Sequence, residues 1–157
     1  GRMKLTTRGQ YASRAMLELT LHYGGPPLHI RDISRVQDIP ERFLEQILLQ
    51  IKRAGYLRSR KGPNGGYMLS KPPEEISVAE IIRVMDGPLA PIDCVSVTAR
   101  EVCPREKSCG LRWLWKRNRD AIAEILESTS FADVAEMTRK AMRANNENGN
   151  QKTPDKG

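Results

Sequence analysis

A mainly α-helical fold with one small β-hairpin is what this 157-residue sequence predicts. Three observations carry the expectation. Apolar residues recur at helical spacing through the segments before Gly55. The period then breaks into two short runs around a glycine-rich tip. A second, longer helical stretch follows a cysteine-bearing loop. The 39% hydrophobic and 29% charged fractions suit a soluble globular chain of one domain with an appended element. Aromatics make up only 5%, which argues against a protein whose main work is stacking unpaired bases. No apolar run approaches the ~20 residues that span a bilayer. Arg14, Glu18 and His22 interrupt the first apolar segment, so no signal peptide is expected. Gly1 and Arg2, ahead of Met3, are left out of the fold reasoning.

Thr7 is expected to cap a first helix running to about Tyr23, with Ala12, Ala15, Met16 and Leu19 on one apolar face. Gly24-Gly25-Pro26-Pro27 ends it. A short helix follows over about Ile30 to Val36, with Ile33 and Val36 inward. Pro40 suits the first position of the third helix, where its missing N–H costs nothing, and Gly55 stops that helix after Ala54. Its core stripe is Phe43, Leu44, Ile47, Leu48 and Ile51. Strands over Tyr56 to Arg60 and Gly66 to Ser70 flank the turn Lys61-Gly62-Pro63-Asn64-Gly65. Ser77 with Glu80 forms a capping box for a helix closed by Gly87-Pro88. Residues 91–109 show no sustained period. A long helix begins near Leu111, with Leu111, Trp115, Asn118, Ile122 and Ile125 in an a/d-like seam. Ser130 and Asp133 open a last helix with Val134, Met137 and Ala141 inward. The chain from Asn145 onward has no apolar residue but proline and is read as a disordered tail.

Helix, short helix, tight turn, helix, two-stranded hairpin is the order of a winged helix-turn-helix. The expected organisation is therefore a DNA-binding domain over 3–88, a cysteine loop over 89–110, a dimerisation helix and final helix over 111–144, and the tail over 145–157. The charge agrees. Residues 1–71 carry thirteen basic and five acidic side chains, net +8, while the remainder nets −1. Positive charge confined to one module is the footprint of a polyanion partner. A single helix fits the major groove, where arginine bonds guanine, glutamine bonds adenine and a carboxylate accepts from cytosine. Arg42, Glu45 and Gln46 occupy those places on the third helix. Arg58, Arg60 and Lys61 flank the hairpin tip, whose glycines, Gly65 among them, let backbone approach a phosphate or the minor groove.

Cys94, Cys103 and Cys109 are an odd, clustered set, which fits a reducing cytoplasm better than a disulfide framework. Thiolates bind soft metals and iron–sulfur clusters. A structural zinc site calls for four ligands and a CxxC knuckle, and neither is present. Free thiols and a redox disulfide remain open on spacing alone. Catalysis is not expected. The only histidines, His22 and His29, sit with no serine or cysteine motif, and the glycine-rich segment lies between strands rather than opening a helix.

Met3-Lys4-Leu5-Thr6, Phe43-Leu44-Glu45-Gln46, the wing Lys61-Gly62-Pro63-Asn64-Gly65-Gly66-Tyr67 and the three cysteines before Leu111 together resemble the IscR/NsrR/RirA-type bacterial repressors of the Rrf-two family. The resemblance spans roughly Met3 to Met142. It implies a cytoplasmic homodimeric regulator, a repressor, on a near-palindromic operator. It also implies an iron–sulfur cluster on Cys94, Cys103 and Cys109 that senses iron, nitric oxide or redox state. By position it makes Arg42, Glu45 and Gln46 base-reading residues, Lys61 the wing cation and Tyr11 a phosphate contact. The histidine that completes the site in the IscR branch is Arg112 here, and the aspartate of the NsrR branch is Gln10. Asp93, Glu101, Glu106, water or a small thiol is left for the fourth position. The missing histidine favours a 4Fe–4S over a 2Fe–2S cluster. The alternative is a regulator without a cluster, controlled by a partner protein or a cysteine disulfide.

Overall fold

The computed structural model describes residues 5–97 and 100–150. Helix α1 spans Thr7–Leu21, and its cap is Thr6 rather than Thr7: the Thr6 hydroxyl accepts from the Gly9 N–H at 3.0 Å. Asp86 reaches back to the Thr6 N–H and hydroxyl, tying this end of α1 to a later helix. Ala12, Ala15, Met16 and Leu19 are all buried. Helix α2, Ile30–Gln37, ends on Asp38 in the left-handed conformation (φ 50°). The tight turn is held by the Ser34 hydroxyl donating to the Ile39 carbonyl at 2.6 Å and the Ile39 N–H donating to the Ser34 carbonyl. Helix α3, Glu41–Arg53, follows with Pro40 as its N-cap residue. Glu18, buried on α1, accepts from Gln37 at 2.8 Å and meets His22 at 3.1 Å, which locks α2 to α1.

Strands β1 (Leu57–Arg60) and β2 (Gly66–Leu69) pair antiparallel, with Leu57 opposite Leu69 and Arg60 opposite Gly66. Leu28 adds a bridge on the far side of β2. Its N–H donates to the Tyr67 carbonyl at 2.9 Å and its carbonyl accepts from Tyr67 at 2.8 Å. Gly66 makes this approach possible: a Cβ there would lie 2.2 Å from the Leu28 carbonyl oxygen. A single turn over Pro73–Glu75 leads to α4, Val78–Asp86, opened by the Ser77–Glu80 capping box in both directions.

Helix α5, Gly110–Ser128, has no buried residue, and α6, Phe131–Asn150, starts from a reciprocal Ser130–Asp133 cap. Phe131 is buried in the same core as Met16, Ile33, Leu44 and Ile81. Backbone bonds from Val78 to Thr129 and from Phe131 to Ile76 seal the junction. The first turn of α6 thus belongs physically to the front domain, although the sequence assigns it to the rear one.

Four expectations about facing are corrected. Val36 is exposed, because on the eight-residue α2 Ile33 is buried in the core and Ile30 packs against it, while Val36 faces outward. Phe43 is 55% exposed, at the rim of the stripe made by Leu44, Ile47, Leu48 and Ile51. Met137 and Ala141 face outward, because Phe131 and Ala135 are the buried residues of α6 and the helix leaves the domain beyond them. Residues 145–150 continue that helix, so the reading of a disordered tail from Asn145 is corrected for these six; 151–157 lie outside the described residues, as do Met3 and Lys4.

Candidate nucleic-acid interface and cysteine loop

The amphipathic period of α3 buries one side completely and leaves the other free. Arg42, Glu45 and Gln46 are exposed on that free side. The helix sits rigidly. Gln50 donates to the Val84 carbonyl at 2.8 Å and accepts from Arg8, and Lys52 donates to Ser59 on β1 at 2.6 Å, fixing the wing's root against the last turn of α3. Tyr11 is half-buried on α1. Its ring meets Phe43 edge-on, centroids 6.5 Å apart, and Arg14 lies over it at 5.6 Å.

Arg58, Arg60 and Lys61 are exposed along β1 and the tip. Gly65 is buried, against expectation for a residue meeting DNA. A Cβ there would sit 2.1 Å from the Arg60 carbonyl oxygen, so closure of the turn itself uses the missing side chain. The tip is held from outside by His29, whose Nε2 lies 3.0 Å from the Pro63 carbonyl and donates to it. Arg8, Arg14, Phe43 and His29 are the residues the sequence reading missed at this surface. The i, i+3 relation of Phe43 to Gln46 was the available signal for one of them.

Behind the domain, Cys94 lies in a single turn over Asp93–Val95, and Cys109 is the N-cap residue of α5. The Cys103 carbonyl accepts from the Glu106 N–H at 3.0 Å. All three thiols are unbridged and half-buried. Arg100 pairs with Glu106, and this hydrogen bond holds the Glu106 carboxyl below the usual carboxylate range, against its desolvation. Glu106 Oε2 and Arg112 Nε are buried without a hydrogen-bond partner. The donor types suit a soft metal centre, but the geometry does not yet supply one. Among the described residues no three Cys, His, Asp or Glu side chains are gathered closely enough to share a metal ion. Cys94, Cys103 and Cys109 share a loop, not a cage.

Helix α5 projects from this loop with much of its seam uncovered: Leu111 is 60% and Ile125 64% exposed, Ile122 is exposed as well, and Trp115 and Asn118 are half-buried, while Trp113, beside the seam, is also exposed. Among the described residues no helix is long and apolar enough to cross a membrane.

Three helices, the third with a polar face left free, and a basic hairpin define a winged-helix DNA-binding transcription regulator. The comparisons with known proteins agree. The chain belongs to the Rrf2 family, described as an iron-dependent transcriptional regulator, whose model matches residues 5–137. It is 34% identical over 136 residues to the transcriptional regulator CymR of Bacillus subtilis, covering 87% of this chain and 92% of CymR. It is 36% identical over 132 residues to IscR of Photorhabdus laumondii, covering 84% and 79%. The structure of CymR, titled the global cysteine regulator of B. subtilis, superposes with a TM-score of 0.73 at 34% identity, over 87% of this chain and 98% of that one. T. potens IscR gives 0.70 at 30% identity, over 88% and 90%. These relatives are DNA-binding regulators, not enzymes, and the chain is a bacterial regulator of that kind.

Proposed function

We propose that the chain is a cytoplasmic, homodimeric repressor that binds a near-palindromic operator. Arg42, Glu45 and Gln46 read bases in the major groove. Arg58, Arg60 and Lys61 grip the flanking backbone or minor groove, the Gly65 backbone shapes their turn, and Tyr11 meets phosphate. The observation that carries this reading is the split of α3 into a wholly buried face and a polar face open to a duplex. The uncovered α5 seam supports the dimer, since a two-fold axis along it buries its apolar side chains and sets two reading heads for two half-sites.

The sensing element of this reading is the loop of Cys94, Cys103 and Cys109, holding an iron–sulfur cluster, of the 4Fe–4S type, once the loop draws the thiols together. Three unbridged thiols beside orphaned polar atoms support it, as does the iron-dependent description of the family. A bound cluster supplies a centre sensitive to iron, nitric oxide or redox state. The residue boundaries follow the sequence reading: 3–88 for the DNA-binding domain and 89–110 for the sensing loop, with the dimer helix beyond. A second reading has the thiols, or a partner protein, sense without a cluster. It is favoured by their ungathered arrangement and by the likeness to a cysteine regulator.

Anaerobic purification with iron and sulfide analysis, then gel shifts on duplexes enriched from a random pool, tests both. A brown protein whose operator affinity changes on cluster loss supports the first reading. A colourless, iron-free preparation that still binds its duplex removes the cluster and leaves the second.

A further inference from the structure

The exposed ring of Phe43 is out of place as core filler. It stands one helical turn before Gln46 and shares a hollow with Arg8, Gln46, Gln50 and Arg53. Its outward pose is held by the edge-on contact with Tyr11, itself braced by Arg14. A large apolar side chain thus sits beside cations suited to phosphate and the exposed Gln46 amide, suited to a base. Water gains nothing from such a ring, and leaving it exposed forgoes its burial. In the major groove, the apolar feature on the base edges is the 5-methyl group of thymine.

We infer that Phe43 is a specificity-determining residue that packs on a thymine methyl group, at a base pair neighbouring the one Gln46 reads. This rests on the proposed reading of DNA by α3. The position follows from helix geometry: residues three apart lie side by side on the surface, so their targets lie side by side on the groove floor. The ring's edge-on contact with Tyr11 spares it part of the ordering cost on binding.

The test uses the full chain and a duplex enriched from a random pool. Each thymine of a half-site is replaced in turn by deoxyuridine, which deletes only the methyl. At one position per half-site the dissociation constant is expected to rise roughly fourfold, the burial of one methyl-sized group. Phe43→Ala is expected to bind more weakly and to lose the distinction between thymine and deoxyuridine at that position alone. Phe43→Leu retains part of it, and an unchanged melting curve shows that both variants fold. If no position responds to the methyl, or if Phe43→Ala keeps the parent's ratio, the inference fails while the DNA reading of α3 stands. Weakening by Phe43→Ala that is equal for both bases assigns the ring to sugar and phosphate packing and likewise overturns it. If no duplex is enriched at all, the reading of α3 fails first.

Discussion

Gly66→Ala is the sharpest probe of how this domain aims its hairpin. The added Cβ would lie 2.2 Å from the Leu28 oxygen, 2.5 Å from its carbonyl carbon and 3.0 Å from the His29 nitrogen. All three are backbone atoms, so no rotamer change relieves the overlap. The residue also sits at φ +148°, outside the common range of residues with side chains. Relief requires the Leu28–His29 segment to back away, which breaks the two bonds between Leu28 and Tyr67. Each is worth about 1 kcal/mol net, and the backbone strain adds about 1 kcal/mol, for a total of about 3 kcal/mol. For a chain of this size that lowers the melting midpoint by roughly 6–12 °C. Circular dichroism melting measures it, with Gly62→Ala as the control. Gly62 also has positive φ (+103°), but nothing lies within 4 Å of its added Cβ, so only about 1 kcal/mol of conformational cost is expected. Melting of Gly66→Ala within about a degree of the parent, or a larger loss for Gly62→Ala, refutes the steric argument.

Three further outcomes follow from the same contacts. His29→Ala removes the tie to Pro63 and is expected to cost about 1 kcal/mol and weaken operator binding, while His29→Gln, which still donates, restores much of both; gel shifts read the affinity. Asp86→Ala unpins the Thr6 end of α1 and is expected to destabilise by about 1 kcal/mol in urea unfolding without altering base preference in a repeated duplex selection. Tyr56, raised above the ordinary tyrosine value first by burial and then by the Glu80 carboxylate, is held protonated by the fold. Its contribution is therefore fully present below pH ~10 and lost as pH rises through the higher folded value, so alkaline melting curves of Tyr56→Phe should lack that loss.

The sequence laid out this fold well wherever a period could be counted. Leu44, Ile47, Leu48 and Ile51 are buried as a counted stripe, and the Ser77–Glu80 box closes as its spacing requires. Residues at the rim of a stripe were misread. Phe43 and Val36 continue an apolar pattern, and only the packed neighbours decide whether such positions are covered. The wing glycines were legible as turn formers but not as packing surfaces. Gly66 serves Leu28 and Gly65 serves Arg60, and those partners are set by tertiary contact rather than by the hairpin's own sequence. The cysteine spacing named donors of the right chemistry. Distance between sulfurs is a property of the folded loop, and no period encodes it.

On the proposed reading, the position of Phe131 decides how a signal in the loop would reach DNA. Were α5 and α6 a separate arm, motion at Cys109 would dissipate in a hinge. Instead α6 begins inside the front core, and Arg83 pairs with Glu127 across α4 and α5. Arg119, midway along α5, donates to the Val95 carbonyl at 2.6 Å, one residue from Cys94. The helix is therefore clamped to the loop at its middle and to α4 of the front domain near its C-terminal end. A rearrangement of Cys94 or Cys109 must shift α5 as a rigid rod or break one of these clamps. In a dimer built on α5, a shift of the rod alters the separation of the two α3 helices. That separation is the quantity a palindromic operator measures, so on the proposed reading the loop governs binding without touching DNA.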